Sequence, residues 1–290
     1  MDAEHTQILR KPEWLKIKLP KGTSFVGVKN IVHGKKLHTI CQSGNCPNLG
    51  ECWGAGTATF MILGNICTRS CKFCSVPSGR PEKPNLSEPA DIAQSVLEMG
   101  LKHCVLTSVD RDDLSDGGAL IWAETIKAIR KINPDITIEA LVPDFMYKKK
   151  SLDIIVEAHP EIVSHNLETV KRLTPTVRSV ATYERSLSVL KYFSMTGLLT
   201  KSGIMVGIGE SDEEIFQTVD DLLDAGCRIM TIGQYLQPTK NNIPVMRYVH
   251  PDLFAMYKET GLSKGFAVVE SAPLVRSSYH AEKHLFVKNL

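Results

Sequence analysis

Residues 59–77 read TFMILGNICTRSCKFCSVP. The run Thr59–Leu63 is apolar and of strand length, and Gly64-Asn65 breaks it. The chain then delivers Cys67, Cys71 and Cys74 at C-x3-C-x2-C spacing. In α/β proteins, ligands sit beyond the carboxyl ends of parallel strands. A cysteine trio directly after a strand therefore predicts both a parallel sheet and an active site at its carboxyl end. Three thiolates can hold three corners of a cubic iron–sulfur cluster and leave the fourth iron open. A structural zinc site is the alternative, but it wants four ligands and usually builds from C-x2-C pairs.

Downstream of this stretch, apolar runs alternate with amphipathic ones. Thr59–Leu63, His103–Thr107, Ile136–Leu141, Ile162–Asn166, Ser202–Val206, Ile229–Ile232 and Phe266–Glu270 read as strands. Helices start between them. Ser87-Glu88-Pro89 resembles a capped first turn, and Ser211-Asp212-Glu213-Glu214 fits a capping box that leads to Ile215, Val219 and Leu222 on one face and stops at Gly226. About six β-then-α units predict an α/β fold with a parallel sheet, closed into a complete or incomplete barrel rather than left as a flat doubly wound sheet, a choice that periodicity alone does not decide. The organisation expected is an N-terminal extension over 1–57, the barrel over 58–271 and a C-terminal extension over 272–290. Residues 1–40 are Lys-rich and weakly periodic and read as an extended segment on the surface.

The chain has 290 residues, 43% hydrophobic and 23% charged, with a net charge of +2, ordinary values for a globular protein that binds neither nucleic acid nor an anionic membrane. No apolar stretch reaches membrane-spanning length and no secretory signal opens the chain, so a cytoplasmic, reducing location is expected. There, clustered cysteines are metal ligands rather than disulfides. Cys41, Cys46 and Cys52 form a second trio, at C-x4-C-x5-C spacing. Cys104 and Cys227 stand alone in or beside apolar runs and read as core. The nine histidines show no paired ligand spacing, and Lys148-Lys149-Lys150 reads as a solvated face.

CTRSCKFCSVPSGRP resembles the radical S-adenosylmethionine motif of lipoyl synthases. CQSGNCPNLGECW resembles that family's auxiliary-cluster motif, and Arg276-Ser277-Ser278-Tyr279 its C-terminal signature. TSVDRDDLSDGGA, HNLETV and MVGIGE extend the likeness from about Cys41 to the end of the chain. The resemblance implies a partial (β/α)6 radical-SAM barrel and two [4Fe–4S] clusters. Its reaction inserts two sulfur atoms at carbons 6 and 8 of an octanoyl group on a lysine of a lipoyl-carrier protein. Those carbons have no acid–base handle, so a hydrogen atom must be abstracted. Cys67, Cys71 and Cys74 would hold the cluster that cleaves S-adenosylmethionine, with two molecules consumed. Cys41, Cys46 and Cys52 would hold the cluster that gives up sulfur, with Ser278 as its fourth ligand. Ser277 is the fallback, because neighbours on an extended segment point to opposite sides.

Further cofactor contacts are expected at strand ends. Phe73 can shield the cluster or touch adenine. Ser108, Asp110 and Asp112 can meet the cofactor's amino group, and Asn166 and Glu168 its ribose or amino-acid end. Gly207 belongs to Gly203–Glu210, which resembles the superfamily's G-x-I-x-G-x-x-E element with Met205 at the usual isoleucine. Each reads equally well as a capping or solvated residue. The implied partners are an octanoylated lipoyl-carrier domain or glycine cleavage H protein, reduced ferredoxin or flavodoxin, and iron–sulfur carrier proteins. Among competing readings, an RNA methylthiotransferase would carry an added basic domain, and a biotin-synthase-like enzyme would lack the first trio. An electron carrier would leave no iron open.

Overall fold

The structure, a computed structural model, describes residues 10–16, 23–35, 37–54, 57–279 and 281. Its frame is a sheet of seven parallel strands in strict chain order. They are β2 (Thr59–Ile62), β3 (His103–Ser108), β4 (Thr137–Leu141), β5 (Ile162–Ser164), β6 (Leu199–Val206), β7 (Ile229–Gln234) and β8 (Val268–Ser271). A two-residue β1, His38–Thr39, adds antiparallel to β2 and blunts that edge. Six crossover helices follow the strands in turn: Glu88–Glu98, Ala119–Ile132, Lys149–Ala158, Tyr183–Met195, Asp212–Asp224 and Pro251–Lys264.

Alternation along each strand sorts the residues into two faces. Cys104, Leu106, Ile138, Ala140 and Val163 pack outward on Ile92, Val96, Trp122, Ile126, Ile129, Leu152 and Ile155 of the helices. Ile204, Val206, Met230, Ile232 and Val269 do the same on Ile215, Val219, Leu222, Phe254 and Tyr257. Cys104 and Cys227 are both fully buried, as core cysteines should be. The inner face carries buried polar groups among its apolar ones. Lys201 of β6 reaches across β5 to Glu139 of β4 at 2.8 and 2.9 Å, and Ser164 donates to the same carboxylate at 2.7 Å. Side chains from strands two apart meet only on a concave sheet.

The sheet does not close: its edges are β1 and β8, and the C-terminal segment runs between β7 and the start of β2. Gln234 donates its N–H to Pro273 O at 3.2 Å, and Asn48 Nδ2 donates to Leu274 O at 2.7 Å. Thr59 Oγ1, at the start of β2, donates to Ser278 Oγ at 2.9 Å. The segment crosses so close to β7 that a Cβ on Gly233 would lie 2.1 Å from Val275 O. Only glycine permits that crossing.

Two local expectations need revision, and a third holds. Thr23–Gly34 is a helix rather than part of an extended segment, with Phe25, Val28 and Val32 packed around Trp53. Val26 is apolar yet exposed on the opposite face, which blurs the helical period in the sequence. Residues 1–9, 17–22 and 36 of the same segment lie outside the described residues. Ser87 does not cap its helix; its hydroxyl donates to Asp91 at 2.8 Å. The capping box at Ser211 and Glu214 forms in both directions.

Candidate active site: two cysteine trios at opposite ends of the strands

The Cys67 loop leaves the carboxyl end of β2 and folds back on itself. Cys67 N–H donates to Pro77 O at 2.8 Å, and Gly79 N–H donates to Cys67 O at 2.9 Å. Outside segments hold it in place. Ser179 Oγ accepts from Ser70 N–H at 3.1 Å, while Asn242 Nδ2 donates to the carbonyls of Lys72 at 3.1 Å and Cys74 at 2.9 Å. Backbone N–H groups point at the sulfurs: Arg69 and Asp110 at Cys67 Sγ (3.4 and 3.3 Å), and Val76 at Cys74 Sγ (3.4 Å). Such donors suit anionic sulfur. Burial nevertheless pushes the Cys67 thiol up to about 11 and the Cys74 thiol to about 12. The thiols keep their protons until a metal displaces them, so loading releases protons.

Arg69, between Cys67 and Cys71, is the loop's electrostatic anchor, with a side chain only 2% exposed. Its Nε and Nη2 donate to both oxygens of Asp112 at 2.7 and 2.8 Å, its Nη2 to Asp144 at 2.7 Å, and its Nη1 lies 3.2 Å from Asp110. Burial works against its charge, but the three carboxylates outweigh that and raise its pKa. Asp112 is thus taken by Arg69 and does not line the adjoining cleft.

That cleft is lined by Cys71, Phe73, Ser108, Asp110, Asn166 and Glu168, together with Arg178 and His165. Five of the seven sequence-predicted cofactor contacts come together here. Besides Asp112, Gly207 stays outside. Its φ is +95°, and its N–H joins those of Ile208 and Gly209 around the carboxylate of Glu210 at 2.6, 2.9 and 3.1 Å. A Cβ on Gly207 would lie 2.2 Å from Gln234 Nε2. The MVGIGE loop is a nest for its own glutamate. Burial raises Asp110 and Glu168, and Arg178 opposes both shifts. His165 Nδ1 lies 2.9 Å from Val142 O and its Nε2 lies 3.0 Å from Ser186 Oγ, to which Arg178 donates at 2.8 Å. Donation from Nδ1 to the carbonyl leaves Nε2 as acceptor. Burial, assisted by Arg178, lowers the imidazole to about 4, so it is neutral. Ser108 Oγ and Asn166 Oδ1 are buried without a hydrogen-bond partner among the described residues.

At the amino ends of β2 and β3, a second cavity of about 520 Å³ gathers Cys41, Cys46 and Cys52 with Thr59, His103, Arg276, Ser278 and Tyr279. Burial raises Cys41 and Cys46, with Arg276 opposing the shift at Cys46, and lifts Cys52 to about 12. Tyr279 donates to Glu51 at 2.9 Å. Arg276–Tyr279 is a turn closed by Tyr279 N–H to Arg276 O at 2.9 Å, not the extended segment expected. The two hydroxyls still diverge: Ser278 faces the cysteines, while Ser277 accepts from Asn166 at 2.6 Å. Among the described residues no three His, Cys, Asp or Glu side chains converge to hold one metal ion. Ligands of a four-iron cube need not converge, because each binds its own iron. Three soft thiolate donors per site fit such a cube.

The segments that carry the two trios touch, with the Ser75 hydroxyl donating to Ser43 O at 2.5 Å. The sequence reading did not anticipate Arg69, Asp144, Arg178, His165 or Asn242. A charged residue between cysteine ligands, facing the acidic VDRDD stretch, is the one signal that could have found Arg69. Asn242 has none.

Fold and site together define a radical S-adenosylmethionine protein. The radical SAM superfamily profile matches residues 61–222, and that of the N-terminal domain of lipoyl synthase matches 1–46. A lipoyl synthase of Bacteroides fragilis is 57% identical over 281 residues, 97% of this chain and 98% of its own length. The mitochondrial lipoyl synthase of Nematostella vectensis is 58% identical over 95% of both chains. The chain belongs to the lipoyl synthase family. Solved structures share the fold at low identity. Streptococcus suis SuiB bound to S-adenosylmethionine has a TM-score of 0.59 and 15% identity over 74% of this chain and 50% of its own. The [FeFe]-hydrogenase maturase HydG has a TM-score of 0.56 and 12% identity over 78% and 61%. No helix among the described residues is long and apolar enough to cross a membrane.

Proposed function

We infer that this lipoyl synthase divides its reaction between the two ends of its strands. Cys67, Cys71 and Cys74 hold the cluster that meets S-adenosylmethionine. Cys41, Cys46, Cys52 and Ser278 hold the auxiliary cluster. When bound, these groups supply a hydrogen-abstracting radical, the electron that generates it, and the sulfur inserted at carbons 6 and 8 of the octanoyl group. The chain's own residues do the rest. Asn242 and the Arg69 clasp fix the loop, and Phe73 closes one side of the cleft. Ser108, Asp110, Asn166 and Glu168 orient the cofactor's polar ends. One observation carries the reading: a single cavity unites three cysteines from residues 41–52 with Ser278, far along the chain. A serine oxygen is harder than thiolate and binds such iron less firmly. It therefore suits a cluster that must come apart.

The substrate is an octanoylated lipoyl-carrier domain or glycine cleavage H protein. Reduced ferredoxin or flavodoxin supplies electrons, iron–sulfur carrier proteins load the sites, and the enzyme works in the cytoplasm. The test uses anaerobically reconstituted enzyme, an octanoyl-lysyl peptide, S-adenosylmethionine and dithionite. Wild type should hold about eight irons, from two four-iron cubes. Cys71→Ala should form no 5′-deoxyadenosine. Cys46→Ala and Ser278→Ala should form it but yield little thiolated peptide. Normal thiolation by Cys46→Ala would refute the division.

A further inference from the structure

We propose that Ser277 is a positioning residue that couples the two sites, so that filling the Cys71 cleft loosens the turn that presents Ser278 to the auxiliary trio. This rests on the reading of Ser278 given above. Ser277 and Ser278 occupy the centre of one turn, with hydroxyls on opposite errands. Ser278 Oγ accepts from Thr59 at 2.9 Å inside the auxiliary cavity, and Ser277 Oγ accepts from Asn166 Nδ2 at 2.6 Å. Asn166 also lines the cleft on the other side.

Asn166 serves Ser277, and also the Glu168 carboxylate, at the expense of its other end. Its Oδ1 is buried without a partner among the described residues, against Gly203, where a Cβ would come within 3.2 Å of it. An unpaired buried carbonyl costs about as much as a neutral hydrogen bond returns, or more. The amide is therefore poised to turn toward any donor that enters the cleft, such as a ribose hydroxyl or an ammonium. Turning draws Nδ2 away from Ser277. The turn then keeps its backbone bond and its Thr59 contact but loses its anchor on the cleft side. Ser278 is held firmly while the cleft is empty and loosely once it is filled. The sulfur source becomes open to attack only when the radical precursor is in place. Coupling between sites is reciprocal, so a chain lacking the Ser277 anchor should bind the cofactor more tightly, not less.

The experiment uses fully loaded enzyme with oxidised clusters and no reductant, so that S-adenosylmethionine binds uncleaved. Its dissociation constant is measured by equilibrium dialysis for wild type, Ser277→Ala and Ser277→Thr. Losing one neutral hydrogen bond corresponds to about 2- to 10-fold. Ser277→Ala should bind that much more tightly, and Ser277→Thr, which keeps the hydroxyl, should match wild type. Mössbauer spectra of ⁵⁷Fe enzyme give the second reading. On cofactor addition, wild type should change at one auxiliary iron as well as at the open iron, and Ser277→Ala at the open iron alone. Unchanged or weaker binding by Ser277→Ala, or an auxiliary cluster blind to the cofactor in wild type, overturns the coupling. Ser278→Ala separates the two readings. If it leaves the auxiliary irons spectroscopically untouched, the assignment of Ser278 fails as well. If it alters them while Ser277→Ala behaves as wild type, only the coupling fails.

Discussion

Replacing Arg69 with methionine keeps the volume and removes the charge, which isolates what the clasp contributes. Breaking a buried ion pair from one side costs about 3–5 kcal/mol, because the partner charge is stranded. Here the stranding is partial. Asp144 is fully buried but keeps Arg185 Nε at 2.7 Å, and Asp112 is 31% exposed and can return to water. Burial pushes the Asp144 carboxyl up, yet Arg69 and His165 hold it well below the usual range, and the variant forfeits most of that. The expected loss is therefore near the lower end, about 3 kcal/mol. At about 2–4 °C per kcal/mol for a chain of this size, melting should fall by on the order of 10 °C. Lysine at this position keeps charge without the bidentate geometry and should fall between the two. Because Arg69 sits between two cysteines of the loop, Arg69→Met should also shed iron from that trio while the auxiliary trio keeps its four. The assay is anaerobic thermal denaturation at one scan rate, paired with iron analysis. A melting point within 2 °C of wild type, at full iron content, would show that the clasp neither stabilises the fold nor fixes the loop.

Two further outcomes follow from buried charge. His165 has its folded pKa lowered to about 4 from 6.5, so between those values the unfolded chain binds the extra proton and stability falls as pH falls. Melting temperatures from pH 7 down to 5 should drop more steeply in wild type than in His165→Gln, against a full linkage of about 3 kcal/mol; parallel slopes would contradict this. Lys201→Met strands Glu139, both side chains being 0% exposed, and should cost about 3–5 kcal/mol. Adding Glu139→Leu should restore most of the loss in the same thermal assay, and a double variant as unstable as the single would exclude a paired role.

The family, the α/β class and both cysteine trios were legible in the sequence because each depends on local spacing. A strand followed at once by a cysteine trio, and a 3.6-residue apolar period between strands, are set within a few neighbouring residues. The helix at Thr23–Gly34 was not legible, since its stability comes from packing on Trp53 rather than from its own period. The carboxylates of Asp110 and Asp112 likewise gave no sign of their partner, since Arg69 lies 43 residues from Asp112 and closes on it only through the fold. Gly207 was placed with the cofactor by pattern, and the tertiary structure turned it around Glu210 instead.

What the sequence settled alone is an inventory: two cysteine trios and a serine pair near the C-terminus. Which hydroxyl faces which site was decided only in three dimensions. Spacing fixes what a segment can bind, because ligand separation is covalent. Where two distant segments meet depends on the curl of the sheet, and that is set by packing over the whole chain. Ser278 reaches the first trio, and Ser277 reaches Asn166, because the sheet does not close between its edges β1 and β8 and the turn lies against the start of β2.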